Sequence, residues 1–505
     1  MKKKVKIIIP IVAVVLVAVL LAVGIPIGYK AYAPKADIKL TIDKDTQYKT
    51  LDGFGTSACW WAQMCPDKYD EMLAKELFSK EGLGLNIYRY NIGGGERENP
   101  NTILGNEWHK TESFYYYDEA AGEYKYDFTR DAEAQQMLDL ALSYGVVDTV
   151  VLFANSPHYS MTETGRASGS ENWWQSNLPR KNYDAYADYF LTITEYFLNK
   201  GVPVKYISPI NEPQWMWGVD NNRQEGCYYS PEEFFDLYSI FAEKIRERKL
   251  PVKLSGPESG TLGDDTNEWL KKLYTDEATA DVMGTLSYHS YWCDSNVELK
   301  ANSGKWFNEN LPDANIEMSE WCHLPCNAPI DSIDGAVLMA RVMANDLEFS
   351  SINSWTSWVG ANQYSTGEHG EKYSDAFFCV NDEFTEVEKA MRYYAMAHFS
   401  KFIPKGSVRI DTKKNVNDLV KEKIEDSEDF STYYVTSAVS FLTPEGKIVC
   451  VAVNEGVERE LKFKVDADNM QVYVTTQEKQ LENTYNGGVT GITFPEKSIV
   501  TVVFD

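Results

Sequence analysis

From residue 53 to residue 358 the chain repeats one pattern eight times: a short apolar run, then a longer amphipathic stretch. The apolar runs are GFGTSA (53–58), LNIYRYNI (85–92), TVVLFAN (149–155), VKYISPIN (204–211), VKLSGPE (252–258), GTLSYHSYW (284–292), NIEMSEW (315–321) and INSWTSW (352–358). Runs of that length bounded by turn residues read as buried strands. The stretches between them, such as DAEAQQMLDLALSYG, YDAYADYFLTITEYFLNKG and DGAVLMARVMANDLEFS, read as helices. Ser230-Pro231-Glu232-Glu233 opens another, with serine at the cap, proline in the first turn and glutamate three residues after the serine. Strands alternating with helices imply a parallel sheet. Eight such units over about 350 residues fit a (β/α)8 barrel with long insertions. A doubly wound open sheet is the alternative. It requires a phosphate-type glycine loop after its first strand, which GFGTSA and Gly93-Gly94-Gly95 match poorly.

Beyond about residue 404 the texture changes. VTSAVSFLT, KIVCVAVNEG, LKFKVDA, MQVYVTTQ, GVTGITF and SIVTVVFD are short alternating strands, expected to form a β-sandwich. The expected division is a barrel over 51–403 and a sandwich over 404–505, with strands in 36–50 joining the sandwich. Residues 1–35 stand apart. Lys2, Lys3 and Lys4 precede an uncharged run of about 22 residues, Ile7 to Gly28, long enough to cross a bilayer as a helix. A cleaved signal usually has a shorter apolar core, although Ala31-Tyr32-Ala33 offers a small-x-small cleavage site. A signal anchor is preferred, with the segment in the membrane if uncleaved. Lysines before the run orient the rest of the chain outward. Both readings place the enzyme-sized remainder outside the cell, anchored or secreted.

Net charge is −26, spread along the chain, so a phosphate backbone is repelled and nucleic acid is not expected as a partner. Eight cysteines are too few for a disulfide scaffold. Export permits bridges, and Cys59/Cys65 and Cys322/Cys326 are close enough in sequence to be candidates. No cysteine pair has histidine partners at zinc spacing. No metal and no cofactor is implied, and a monomer is expected.

In such a barrel the chemistry lies at the C-terminal ends of the strands. Strand four runs into Asn211-Glu212-Pro213, and strand seven ends in Ser319-Glu320-Trp321. Strand six ends in His289…Tyr291-Trp292. Strand two carries Arg89, strand three ends at Asn155, and strand eight carries Trp355 and Trp358. Two carboxylates facing each other across a barrel mouth suit glycoside hydrolysis. One donates a proton to the leaving oxygen, and the other attacks or supports the anomeric carbon. Like charges push one carboxyl up, while Arg89 can hold the other down. Aromatics at 13% of the chain suit a sugar cleft, because sugar rings present apolar C–H faces.

At these residues the chain resembles the clan A retaining glycosidases, and most closely glycoside hydrolase family 30. The resemblance rests on the paired Asn-Glu-Pro and Ser-Glu-Trp motifs, supported by GFG at 53–55, ANSP at 154–157, the His-x-Tyr of strand six and the trailing β-module. It implies that Glu212 is the acid/base and Glu320 the nucleophile. Asn211 would bond the sugar 2-hydroxyl, Tyr291 would orient Glu320, and Arg89 would pair with it. Trp358 or Trp355 would floor the subsite of the cleaved sugar, while Asn155, His289 and Trp215 (with Trp217 as its alternative) complete the expected substrate-binding set. Within the family, NEPQWMW…NNRQEGCYYSPEEF looks like the endo-β-1,6-galactanase branch. Where that branch carries a tryptophan before the methionine of ANSPHYSM, this chain has Tyr159-Ser160. Glucuronoxylanase, β-1,6-glucanase and β-xylosidase branches share the machinery. The rival from another class, a non-catalytic cell-surface glycan-binding protein, would keep the aromatics and lose a glutamate; both glutamates are present.

Overall fold

A computed structural model describes residues 37–218, 223–423 and 430–505. The N-terminal apolar run and its orientation, and residues 219–222 of the motif after strand four, lie outside these. Among the described residues no helix is long and apolar enough to cross a membrane.

All eight expected strands form, and they close into a parallel barrel in chain order. They are Gly53–Ser57, Ile87–Asn91, Thr149–Phe153, Val204–Ser208, Lys253–Ser259, Met283–His289, Ile316–Glu320 and Ser354–Ser357. Closure is made by the eighth strand pairing with the first, Trp355 opposite Phe54. The strands are buried along nearly their whole length because helices cover the outer face, so they read as continuous apolar runs. The helix Pro231–Arg248 begins as its sequence dictates. The Ser230 hydroxyl accepts the Glu233 N–H, and the Glu233 carboxylate accepts the Ser230 N–H at 2.9 Å.

Eight C-terminal strands and the strand Ile38–Thr50 form one nine-stranded hydrogen-bonded ladder. It folds back on itself into a sandwich. Phe463 and Phe504, on strands far apart in the ladder, meet with ring centroids 5.2 Å apart. Strand Ile38–Thr50 enters this ladder, antiparallel to Val408–Lys414 and parallel to Arg459–Lys464. From residue 37 onward the chain therefore runs through the sandwich, builds the barrel, and returns. The sandwich's other face packs on the barrel core through Val439, Phe441, Val451 and Ile499. Buried His398, on helix Met391–Ser400, fastens the two with bonds to the hydroxyls of Thr501 (2.7 Å) and Thr475 (2.8 Å).

The candidate disulfides are corrected: all eight cysteines are free thiols. Cys322 lies 3.5 Å from the Tyr291 hydroxyl, and Cys326 donates to the Ser374 carbonyl at 3.2 Å. Their side chains are engaged elsewhere, so closeness in sequence did not become closeness in space.

Candidate active site

Glu212 lies four residues past the end of its strand, in the left-handed region at φ 44°. A non-glycine residue holds that conformation only when its surroundings over-determine it. Here the Glu212 N–H donates to the Glu258 carbonyl at 3.0 Å. The Glu212 carbonyl accepts both the Trp215 N–H and the Trp217 indole N–H, each at 3.0 Å. The backbone that aims this carboxylate is thus held from the fifth strand and from an indole, as well as by its own neighbours in sequence. Trp217 is buried doing this and lines no subsite.

Glu320 ends the seventh strand. Arg89 donates to its Oε2 at 2.7 Å, and the Tyr291 hydroxyl donates to its Oε1 at 3.1 Å. One carboxylate oxygen of Glu320, one of Glu212 and a nitrogen of His289 all lie within 4.8 Å of one another. Burial raises the Glu320 carboxyl above its ordinary value, opposed by His289 and Arg89 and reinforced by Glu212.

A third carboxylate, Glu258 at the end of the fifth strand, was assigned no role from sequence. It is fully buried at φ 57°. Ser208, Ser319, His289 and Arg89 surround it, with Ser208 at 2.9 Å, His289 at 3.1 Å and Arg89 at 3.5 Å. Burial alone would push this carboxyl up. The Arg89 charge and the bonds from His289 and Ser319 instead bring it down to about 2. The rule that located Glu212 and Glu320, reading the last residue of each strand, would have located Glu258 in VKLSGPE.

His289 was read from the sequence as substrate-binding or as a plain hydrogen-bonded core histidine, and its burial and bonds are those of the second. It is fully buried, and both ring nitrogens are taken, Nδ1 by Glu212 and Nε2 by Glu258, each at 3.1 Å. Burial disfavours its charge, but Glu320, Glu212 and Glu258 override that and raise it to about 10. It is therefore wedged between carboxylates that favour its charged form, with no nitrogen left for a sugar. Arg89 is equally buried and also donates to Asn211 Oδ1 at 3.2 Å. That leaves the Asn211 amide NH2 without a protein acceptor among the described residues. Asn155 donates to Asn91 Oδ1 at 3.4 Å, while its own Oδ1 is buried and unpartnered.

The expected aromatics divide. Trp358 stands edge-on to Trp60, centroids 5.3 Å apart, and Trp60 lies against His109 at 4.1 Å. The two tryptophans follow the eighth and first strands and His109 lies in the loop after the second, so the three rings cluster at one side of the mouth. Trp355 is corrected: it is fully buried, donates to Asp346 at 3.0 Å and packs on Trp321, so it floors no subsite. Even spacing on a strand does not say which residue reaches the mouth. Trp215 is exposed and stacks on Trp292, centroids 4.7 Å apart. Trp60 and Trp292 had been given no role. Glu225, from the Gln-Glu-Gly-Cys segment, is buried. It accepts the Gly94 N–H at 3.0 Å and the Thr111 hydroxyl at 2.5 Å, which ties the segment after strand four to the loop after strand two.

The profile of O-glycosyl hydrolase family 30 matches residues 37–373, and that of the glycosyl hydrolase family 30 beta sandwich domain matches residues 406–502. An endo-beta-1,6-galactanase of Hypocrea rufa is 22% identical over 453 residues, covering 85% of this chain and 84% of its own. A putative glucosylceramidase 1 of Caenorhabditis elegans is 24% identical over 450 residues, covering 84% of this chain and 77% of its own. The catalytic domain of the GH30 xylanase C from Talaromyces cellulolyticus shares the fold, with a TM-score of 0.69 at 18% identity over 92% of this chain and 100% of that one.

Proposed function

The chain belongs to O-glycosyl hydrolase family 30, and from that premise we propose that it hydrolyses β-linked polysaccharide with retention at the anomeric carbon, Glu212 being the acid/base and Glu320 the nucleophile. The observation that carries the reading is the approach of the two carboxylates, with oxygens within 4.8 Å at the barrel mouth. Retaining glycosidases hold their carboxyl groups about 5–5.5 Å apart, whereas inverting ones leave about 6.5–9.5 Å for a water.

In the first step a Glu320 oxygen bonds to the anomeric carbon as the glycosidic bond breaks, and the leaving oxygen takes the Glu212 proton. The product is a glycosyl ester of Glu320 and a free chain end. In the second step Glu212 removes a proton from water, whose oxygen bonds to the same carbon, and the ester breaks. Two inversions restore the starting configuration. Arg89 and Tyr291 hold the attacking carboxylate. His289 faces Glu212 as a cation, so the carboxylate left after the first proton transfer meets a positive partner 3.1 Å away. Asn211, with its NH2 free, suits donation to a sugar hydroxyl. Trp60 and Trp358 suit the wall beside the sugar that becomes bound.

For the substrate, the proposal is β-1,6-galactan, supported by the Gln-Glu-Gly-Cys segment and by the full-length likeness to a galactanase. The enzyme is placed outside the cytoplasm on the strength of the N-terminal apolar run. Product analysis on β-1,6-galactan, glucuronoxylan and β-1,6-glucan tests the substrate. Galacto-oligosaccharides alone are expected. Cleavage of another polymer would retain both glutamates in their roles and remove the galactan reading.

A further inference from the structure

Exposed hydrophobic residues scattered singly need no explanation, whereas contiguous ones mark binding surfaces and ligand grooves. Trp292 is 63% exposed and Trp215 is 38% exposed, yet they stack on each other at 4.7 Å and 20°. Trp292 follows Tyr291, whose hydroxyl holds Glu320, and it sits in the left-handed region at φ 57°. A bulky residue there is strained and persists only where its surroundings over-determine the backbone. Its distance from the chemistry is short. A Cβ on Gly260 would lie 3.0 Å from Glu212 Oε1 and 3.4 Å from Trp292 Cζ3. The indole edge and the proton-donating carboxylate therefore flank the same point, and glycine leaves that point open.

The pair stands on the wall made by the fourth, fifth and sixth strands, across the mouth from Trp60 and Trp358. A proton donor faces the leaving group, so the wall around Glu212 is the leaving-group side. Next to Trp215 and Gly260 in sequence, Gln214, Ser259 and Thr261 line a cavity of about 480 Å³ between the loops after the third, fourth and fifth strands. Trp173, Tyr228 and Trp269 present rings to it, and Gln214, Asp264 and Asp265 present polar groups. Its third-strand edge is anchored: the Ser170 N–H donates to the Trp217 carbonyl at 3.2 Å, and Trp173 packs over Gly218. Rings interleaved with carboxylates and an amide match a carbohydrate, which offers C–H faces and hydroxyls. A lipid leaving group would call for an aliphatic lining.

We propose that Trp292 and Trp215 form the platform for the first sugar on the leaving-group side, and that the Trp173/Tyr228/Trp269 cavity takes the next, so that the enzyme cuts within β-linked chains rather than at their ends. This rests on Glu212 being the acid/base. It adds residues and a mode of action that the assignment of the two glutamates does not contain.

The test compares wild type, Trp292→Ala, Trp292→Phe and Trp173→Ala. Substrates are oligosaccharides of graded length from whichever of the three polymers wild type cleaves, the matching para-nitrophenyl glycoside, and glucosylceramide in detergent micelles. Trp292 is mostly exposed, so its alanine variant is expected to fold. The expected result is a loss of kcat/KM on oligosaccharides by roughly 10- to 200-fold, far exceeding any loss on the aryl glycoside, with Trp292→Phe recovering much of it. Trp173→Ala is expected to cost activity only on chains long enough to reach the cavity, and to shift the position of the cut. Equal losses on oligosaccharide and aryl glycoside, or none, overturn the platform while leaving the glutamates in place. Cleavage of a polymer other than galactan leaves the platform standing and removes only the galactan reading. Wild type that cleaves glucosylceramide and no polymer overturns the platform and the polysaccharide reading together.

Discussion

The mouth of the barrel and the interior of the sandwich are equally dry and are built from opposite materials. The sandwich interior is mainly apolar, with Ile38, Leu40, Leu461, Met470, Phe494, Val502 and Phe504, and buried polar residues of its strands such as Ser440, Asn454 and Thr501 carry no charge. The barrel mouth buries Arg89, Glu258, His289 and Glu320 in mutual contact. Apolar burial stabilises by about 25 cal/mol per Å². Burying charge costs desolvation that the pairing only offsets. One region supplies stability. The other uses it to hold charges in a geometry that water would otherwise screen and loosen. Backbone strain does not divide this way: Glu212, Glu258 and Trp292 hold positive φ at the mouth, and Leu481 and Lys497 hold it between strands of the sandwich.

The sharpest way to break this comparison is to remove the groups that the chemistry needs but the fold does not. Glu320→Gln is expected to lower kcat by roughly 10³-fold or more, about 4 kcal/mol of barrier, in a protein that still folds. Near-normal turnover in steady-state assays would end the nucleophile assignment. Glu212→Gln is expected to lose about 10²- to 10⁴-fold on natural linkages and far less on aryl glycosides whose leaving group needs no proton. A uniform loss across leaving groups would count against the acid role.

Glu258→Gln should behave differently from both. It leaves Arg89 and His289 short of a buried partner, so denaturant unfolding is expected to show a loss of about 3–5 kcal/mol together with reduced kcat. If it proves as stable as wild type, the charge cluster is not the balanced unit described here. In the sandwich, Leu461→Ala is expected to cost about 2–5 kcal/mol while kcat stays unchanged at temperatures where the protein is folded. A drop in kcat there would show that the two regions are coupled.

The remaining expectation concerns pH. His289 is raised from 6.5 to about 10 on folding, so its contribution is complete below about pH 6.5 and is lost as pH rises through about 10. The melting temperature of wild type is expected to decline over that window, and that of His289→Gln to lack this decline. Glu258 has the opposite sign. Lowered from 4.5 to about 2, it stabilises above about pH 4.5 and loses that contribution as pH falls through about 2.

Much of the architecture was legible in the residues. Eight buried parallel strands need long apolar runs, and helices between them need a different period, so VKYISPIN and YDAYADYFLTITEYFLNKG announce themselves without any partner being known. The capping box at Ser230 is equally local, since its donors and acceptors are three residues apart. Glu212 and Glu320 were legible because strand ends in a barrel share one face. The remainder depended on direction and burial. His289 and Trp355 were read as facing a sugar and instead face inward, because a side chain near a strand end can turn to the mouth or to the interior. Trp292 passed without a role because nothing in its neighbours reports a left-handed backbone. The cysteine pairs failed for a related reason: loop residues six and four apart carry no rule about where their side chains meet.

What the sequence by itself determined is the order of elements and the pair of glutamates, since periodicity and strand ends are properties of short segments. Tertiary structure alone decided that Arg89, from strand two, reaches Glu258 and Glu320 from strands five and seven, and that His289 lies between three carboxylates. Those contacts join residues up to 231 positions apart. They exist because closing the barrel brings every strand end within reach of every other, and their charges acquire a meaning only once that closure has removed the water between them.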